Sequence, residues 1–452
     1  MKRTAAGFAF AIALFLADID TCAAQDQPVA TGDDGAPVTF TKHIAPLVFK
    51  HCVACHRPGE VAPFSLLTYA AAKKRAKQLQ TVTAERFMPP WKSVAEHDRF
   101  VGERRLTAEE IALIARWVKQ GAPEGAPDDL PAPPRFAEGW QLGKPDIIVK
   151  MPAAYNLPAD GPDIYRNFIF ALDIPKGKYI KAAEYRPSNR RVVHHALLSV
   201  DVTGRARKLQ TDPAAGLKGS GNIPGQLFPG SMGTWTPGRD PLPLPDGLSM
   251  PWKPGADLVL QLHLHPSGKP EEEQSSIGLY LTDQPPRRSM VDLLLIDKKI
   301  DIPPGERSYH TRDEVTLPID METRGIFPHM HLIGKEIKVT AYPPDGEPLS
   351  LLRIDDWDFN WQTFYQFAAP VKLAAGTRIV LEASHDNSAD NIHNPSQPPE
   401  RVTWGEETRN EMTVAIVQLV PMREADFPKL AATLRRRMLG TIVASDGKAN
   451  AP

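Results

Sequence analysis

Proline constrains this chain more than any other residue: 45 of its 452 residues are proline, about twice the ~5% of an average protein. Each proline fixes one backbone angle and removes one N–H donor, so helices stop and strands stay short. Between the prolines of the second half, apolar and polar residues alternate in short runs: Val192–Val200, Leu258–Leu264, Glu336–Ala341 and Thr377–Ala383, each bounded by Pro, Gly or Asp. This pattern predicts antiparallel β-structure from Asp146 to about Pro421. The stretch exceeds one ordinary sandwich and fits two in tandem, 146–290 and 291–425, with the junction within Asp283–Pro304. A basic helix over Ala425–Met438 opens a C-terminal segment, 426–452.

The N-terminus is of another kind. Lys2 and Arg3 precede an apolar run, Phe8–Ala17, and Cys22-Ala23-Ala24 offers a small-residue cleavage site, so residues 1–24 read as an export leader and the protein as periplasmic or secreted. The run is half the ~20 residues that cross a bilayer, and no later stretch is longer, so no membrane span is expected. Loss of Cys22 would leave Cys52 and Cys55 alone, with no disulfide. The formal charge of -1, from 53 basic and 54 acidic residues, excludes nucleic acid as an expected partner.

Cys52-Val53-Ala54-Cys55-His56 has the spacing by which two thiols add to the two vinyl groups of a haem while the adjacent imidazole binds the iron. A zinc site would need further cysteines, and a redox dithiol would not need His56. One covalently bound haem c is therefore expected. Helices are predicted over Phe40–Lys50, with Ile44, Leu47 and Val48 on one face, and over Leu106–Gly121, where Thr107 is a good N-cap with Glu110 three residues on. Two helices flanking such a motif resemble a class I cytochrome c, over roughly Thr39–Pro123. The resemblance implies a small all-α domain, 37–123, and a methionine on the far side of the iron. Met88, in Phe87-Met88-Pro89-Pro90-Trp91, is the candidate. Residues 124–145, dense in Pro, Gly, Ala and Asp, read as a linker with no core of its own.

Five of the thirteen histidines lie in strand-like runs: His194, His195, His263, His329 and His331. Residues two apart on a strand face the same way, so His329 and His331 can share one metal. Adjacent His194 and His195 face opposite ways on a regular strand, so joint ligation requires a bulge, a strand end or different ring nitrogens. His265 shares a strand face with His263 and competes with it. His310, His385 and His393 stand in turn-rich stretches and read as solvated loop residues.

In order, these motifs resemble the copper type II, ascorbate-dependent monooxygenases, the group of peptidylglycine and dopamine hydroxylases. Val192-Val193-His194-His195-Ala196-Leu197-Leu198 is similar to the family's paired histidines, and Val259-Leu260-Gln261-Leu262-His263 to its third ligand. His329-Met330-His331 is similar to the H-x-H segment of the catalytic copper, and Glu406–Met412 to the region that supplies its methionine, Met412. The resemblance implies two jelly-roll sandwiches with one copper each, His194, His195 and His263 holding an electron-transfer ion and His329, His331 and Met412 the catalytic one. It also implies O2 and a small-molecule substrate, with ascorbate or a periplasmic redox partner as reductant. Where peptide-amidating members place a basic residue before H-x-H and Asn and Tyr after the methionine, this chain has Phe327, Val414 and Ile416, which predicts an apolar substrate. The fused haem is a further departure and a candidate source of single electrons. The competing reading is a c-type electron carrier with a non-catalytic copper- or ligand-binding β module; a purely structural β module would leave six ordered ligand candidates unexplained.

Overall fold

The computed structural model describes residues 36–94, 99–219, 226–227, 233–405 and 407–446. The expected leader, Cys22 and Glu406 lie outside the described residues. The described chain is mostly β-strand in several antiparallel sheets with few helices, and its apolar side chains gather into three main cores.

The first core is helical. A wide turn, Phe40–Ile44, runs into the helix Ala45–His51, followed by helices Tyr69–Lys74, Ala76–Ala84 and Ala108–Lys119. The last begins where the sequence predicts: the Thr107 side chain accepts from the Glu110 N–H, and Glu110 reciprocates on the Thr107 N–H, the two-way cap that satisfies otherwise orphaned donors. Ile44, Leu47, Val48, Leu113, Ile114 and Trp117 fill the interior.

The second core lies between two sheets. One holds the strands Ile147–Lys150, Ser276–Thr282 and Tyr179–Arg186; the other is centred on Ile164–Ala171, Asp257–Leu264 and Val193–Asp201. Ile180, Ile277 and Leu279 from the first meet Phe168, Leu260, Leu262 and Leu264 from the second, all nearly or fully buried, each side chain contributing about 1.5–3 kcal/mol. The third core repeats the plan. Val291–Ile296, Thr413–Pro421, Met321–Met330 and Tyr365–Leu373 face Tyr309–Thr316, Arg378–His385, Gly334–Tyr342 and Leu349–Ile354. The C-terminal helix runs Phe427–Asp446, longer than expected, and Leu430 enters this core.

The helical region does not close on itself. Residues 91–94 and 99–101 leave it and lie on the second sandwich: Phe100 is buried in that core, Trp91 packs beside it, and Ser93 and Phe100 pair with Ile354 and Phe367. Phe100 meets Tyr365 edge-on and stacks on Phe367, centroids 5.3 and 5.1 Å apart, which holds the crossing. The segment 124–145 is likewise laid down on its neighbours, since Gln141 and Leu142 donate backbone N–H groups to the Glu184 carboxylate and Trp140 lies so close to Gly278 that a Cβ there would meet its ring.

Candidate metal centre

Antiparallel pairing sets His195 directly opposite His263, and the register between the two strands shifts between Val193 and His195. That bulge is the device the sequence required, since it turns His194 toward the same side as its neighbour. The three Nδ1 atoms converge, His194 to His195 at 3.2 Å, His194 to His263 at 3.1 Å and His195 to His263 at 3.4 Å. Among the described residues these form the one group of three or more His, Cys, Asp or Glu side chains whose ligand atoms cluster this closely.

The outer nitrogens decide what the inner ones are. His194 Nε2 donates to the Asn360 carbonyl at 2.8 Å and His263 Nε2 to the Asp163 carboxylate at 2.6 Å; both partners can only accept, so in the neutral rings both Nδ1 atoms are bare lone pairs. Bare nitrogens pointing at one another in a buried place repel unless a cation sits among them. Three nitrogens each about 2.0 Å from one ion stand about 3.3 Å apart in tetrahedral and about 3.5 Å apart in trigonal geometry, which is the spacing found. Burial first, and the His263 imidazole second, hold His194 at about 4, and His195 well below the ordinary histidine value, so these two donors are in the form a metal needs. Burial alone would raise Asp163; hydrogen bonds and charge from His263, then His265, instead hold it at about 2. His265 is exposed and bonds the other Asp163 oxygen at 2.7 Å, outside the triangle.

The second pair stands at the end of strand 321–330. His329 and His331 have ring centroids 5.1 Å apart at 83°. Their Nδ1 atoms are engaged, His329 with Gln362 Oε1 and His331 with the Asn410 carbonyl at 3.0 Å, which leaves both Nε2 atoms as the donors. Met412 sits one residue before Thr413, the partner of Met330 across the strands. The fully buried Glu411 ties the two segments, its Oε1 accepting from the backbone N–H of His331 at 2.5 Å and of Met412 at 2.8 Å. Phe327 and His329 lie on one face of the strand, opposite Ile416 and Val414. Phe327 stacks at 12° to the His329 ring, 6.4 Å away, and Phe327 and Val414 are buried.

His385 is not a solvated loop residue. It ends strand 378–385 at 0% exposure, donor or acceptor to Thr413 Oγ1 at 2.9 Å, with its Nδ1 facing Glu411 at 3.8 Å. The turn-rich sequence after it folds back over the strand end, with Asn387, Ser388 and Asn394 buried. His310 is exposed but on the strand Tyr309–Thr316, and His393 is exposed in a turn. Asp163, Asn360, Gln362 and Glu411 went unnoticed in the sequence because no local pattern marks a residue that bonds a histidine 33 to 166 positions away.

In the helical region, His56 Nδ1 bonds the Phe64 carbonyl at 3.2 Å and its ring packs on Phe64, which leaves Nε2 as the atom able to bind iron. Cys52 and Cys55 are not joined by a disulfide; burial first, and then the neighbouring Cys55, push the Cys52 thiol up to about 12, and burial raises Cys55. The Cys55 sulfur lies against the β region, where a Cβ on Gly238 would come within 2.5 Å of it. Met88 lines a cavity of about 280 Å3 with Trp91, Lys92, Arg105 and Ile111, and the haem-motif residues are not in its lining.

No protein-family model matches the chain. Over 133 residues, 26% of the chain, it is 27% identical to the mouse (Mus musculus) DBH-like monooxygenase protein 1, and over 134 residues, 27% of the chain, 28% identical to the protein of that name from chicken (Gallus gallus). The chain spans about a fifth of the length of these curated relatives, 20% in each case. The infectious bursal disease virus VP2 subviral particle matches 63% of this chain and 74% of its own at 10% identity, with a TM-score of 0.20 that carries no argument. Among the described residues no helix is long and apolar enough to cross a membrane.

Proposed function

We propose that this protein is a periplasmic copper-dependent monooxygenase that hydroxylates a C–H bond of a small, apolar substrate with O2. The observation that carries the reading is the triangle of Nδ1 atoms of His194, His195 and His263, 3.1 to 3.4 Å apart. Imidazole donors suit copper, and the relatives named DBH-like monooxygenase support a monooxygenase chemistry. His329, His331 and the thioether of Met412 would hold the second copper, His194, His195 and His263 the first, in two jelly-roll sandwiches. Cys52, Cys55 and His56 would hold the haem of a class I cytochrome c domain, with Met88 the candidate methionine ligand.

Copper bound at these groups supplies one-electron chemistry and O2 activation. The reaction consumes two electrons and two protons, places one oxygen atom in the C–H bond and releases the other as water; the electrons come from a reductant such as ascorbate or a redox partner, and a haem held at Cys52, Cys55 and His56 would supply one-electron chemistry. The chain's own contribution is positional. Asp163 and the Asn360 carbonyl hold His263 and His194 in the tautomer that presents Nδ1, whereas Gln362 and the Asn410 carbonyl make His329 and His331 present Nε2. Glu411 keeps Met412 in register with His331. Phe327, Val414 and Ile416 form an apolar floor beside His329, where a charged substrate group would lose its hydration without gaining a partner.

Elemental analysis with absorption and electron paramagnetic resonance spectra, on protein from an exporting host and on Met412→Ala, tests this. About two coppers and one haem per chain are expected, with O2 consumption by the reduced protein that Met412→Ala abolishes. Haem without stoichiometric copper would sink the monooxygenase.

A further inference from the structure

One short loop touches both histidine groups. After Leu349–Ile354 the chain crosses at residues 357–363 to the strand Tyr365–Leu373. On the way, the Phe359 ring stands 6.1 Å from the His263 ring and 6.1 Å from the His331 ring, and Phe359 is buried. The Asn360 carbonyl accepts from His194 Nε2 at 2.8 Å, Gln362 Oε1 meets His329 Nδ1, and the Trp357 indole donates to the His331 carbonyl at 3.1 Å. Five contacts to four candidate ligands thus come from six consecutive residues. The loop is also internally braced. Gln362 Nε2 donates to the Phe359 carbonyl at 2.9 Å, the Asn360 N–H to Asp358 at 2.9 Å and the Trp361 N–H to the Asp358 carbonyl at 2.9 Å.

We propose that residues 357–363 are a strap that makes the two histidine centres one coupled unit, with Phe359 the contact between them and Asn360 and Gln362 the positioning residues at its two ends. The inference rests on both centres binding copper. Its physical content is shared ordering. A metal among His194, His195 and His263 requires His194 to keep its Nε2–H on the Asn360 carbonyl; that fixes the braced loop, and with it the Gln362 oxygen that keeps His329 Nε2 bare. The second ion then finds its donors already placed, and ordering that has been supplied once is not supplied again. Coupling of this kind is reciprocal and usually 5- to 150-fold in affinity, roughly.

The test uses the full chain and Cu(II) alone, so turnover is not the readout. The affinity of the His329, His331 centre is measured with the first centre intact and in His195→Ala, and that of the first centre with the second intact and in His331→Ala. Occupancy of either centre is expected to tighten the other by at least about 5-fold. Phe359→Ala and Gln362→Leu should each keep two coppers per chain while the ratio falls toward one, and Gln362→Glu, which retains the acceptor, should restore it. Circular dichroism melts identify any variant that fails by unfolding, and pulsed paramagnetic resonance supplies an independent readout, since the Cu–Cu distance distribution should broaden in Phe359→Ala. Independent affinities in the parent, or a ratio unchanged in both strap variants, would overturn the coupling and leave two copper sites standing. Fewer than two coppers in the parent would take down the functional reading and the strap together.

Discussion

Asp163 and His263 are joined at 2.6 Å, carboxylate oxygen to Nε2, across 100 residues of sequence. A ligand histidine tied in this way presents its other nitrogen in one tautomer and one orientation, and the partner carboxylate raises its basicity. The same carboxylate binds His265, so the histidine that competes with His263 in sequence instead helps to hold Asp163 in place.

Replacing Asp163 by Asn should therefore weaken copper at the His194, His195, His263 group by about 10- to 100-fold while His329 and His331 keep theirs. Competition titration with a chromophoric chelator reads both affinities. An unchanged first affinity would show that Asp163 only braces His265.

Glu411 is the corresponding anchor of the second pair. Glu411→Ala leaves the buried N–H groups of His331 and Met412 without their acceptor, each costing about 1–3 kcal/mol, and should lower the melting temperature and the copper content of that centre together. Glu411→Gln keeps one carbonyl acceptor and should do less of both. Equal effects of the two substitutions would contradict the acceptor role.

Phe100 belongs by sequence to the helical region and by packing to the second sandwich. Phe100→Ala should cost about 3–5 kcal/mol, seen in chemical denaturation as destabilisation of the β region. Excision of residues 37–123 should likewise destabilise what remains. A β region as stable without them as with them would mean that the crossing segment contributes nothing.

The metal-free protein should lose stability on mild acidification. His194 and His329 are held at about 4, by burial first and then by the neighbouring imidazole, and His195 lies well below its ordinary value for the same reasons. Unfolded, each takes up a proton near 6.5. As the pH falls below that point the unfolded chain binds protons the fold refuses, so stability declines from about 6.5 toward about 4. Asp163, held at about 2 rather than 3.8, adds its own loss only at lower pH. Melting temperatures of copper-free protein at pH 7 and 5 check this, and the triple substitution of these histidines by Gln should flatten the difference; a slope that survives it would assign the acid sensitivity elsewhere.

What could be read from the residues in order was whatever depends on short spacing. The two-residue strand period puts His329 and His331 on one face, and the Thr107–Glu110 cap marks a helix start. The alternating runs between prolines likewise marked strands to within a residue or two, as for Val193–Asp201 and Asp257–Leu264. Tertiary structure decided the rest, because it depends on which distant segments pair. The bulge between Val193 and His195 exists only against strand 257–264. The burial of His385 follows from the return of residues 386–400 over a strand end, and the strap through Phe359 arises because one crossing loop passes between two sheets that meet only when the chain is folded. A hydrogen bond to a histidine is directional and short-ranged but indifferent to sequence separation, so the partners that hold the candidate ligands in place leave no local trace in the sequence.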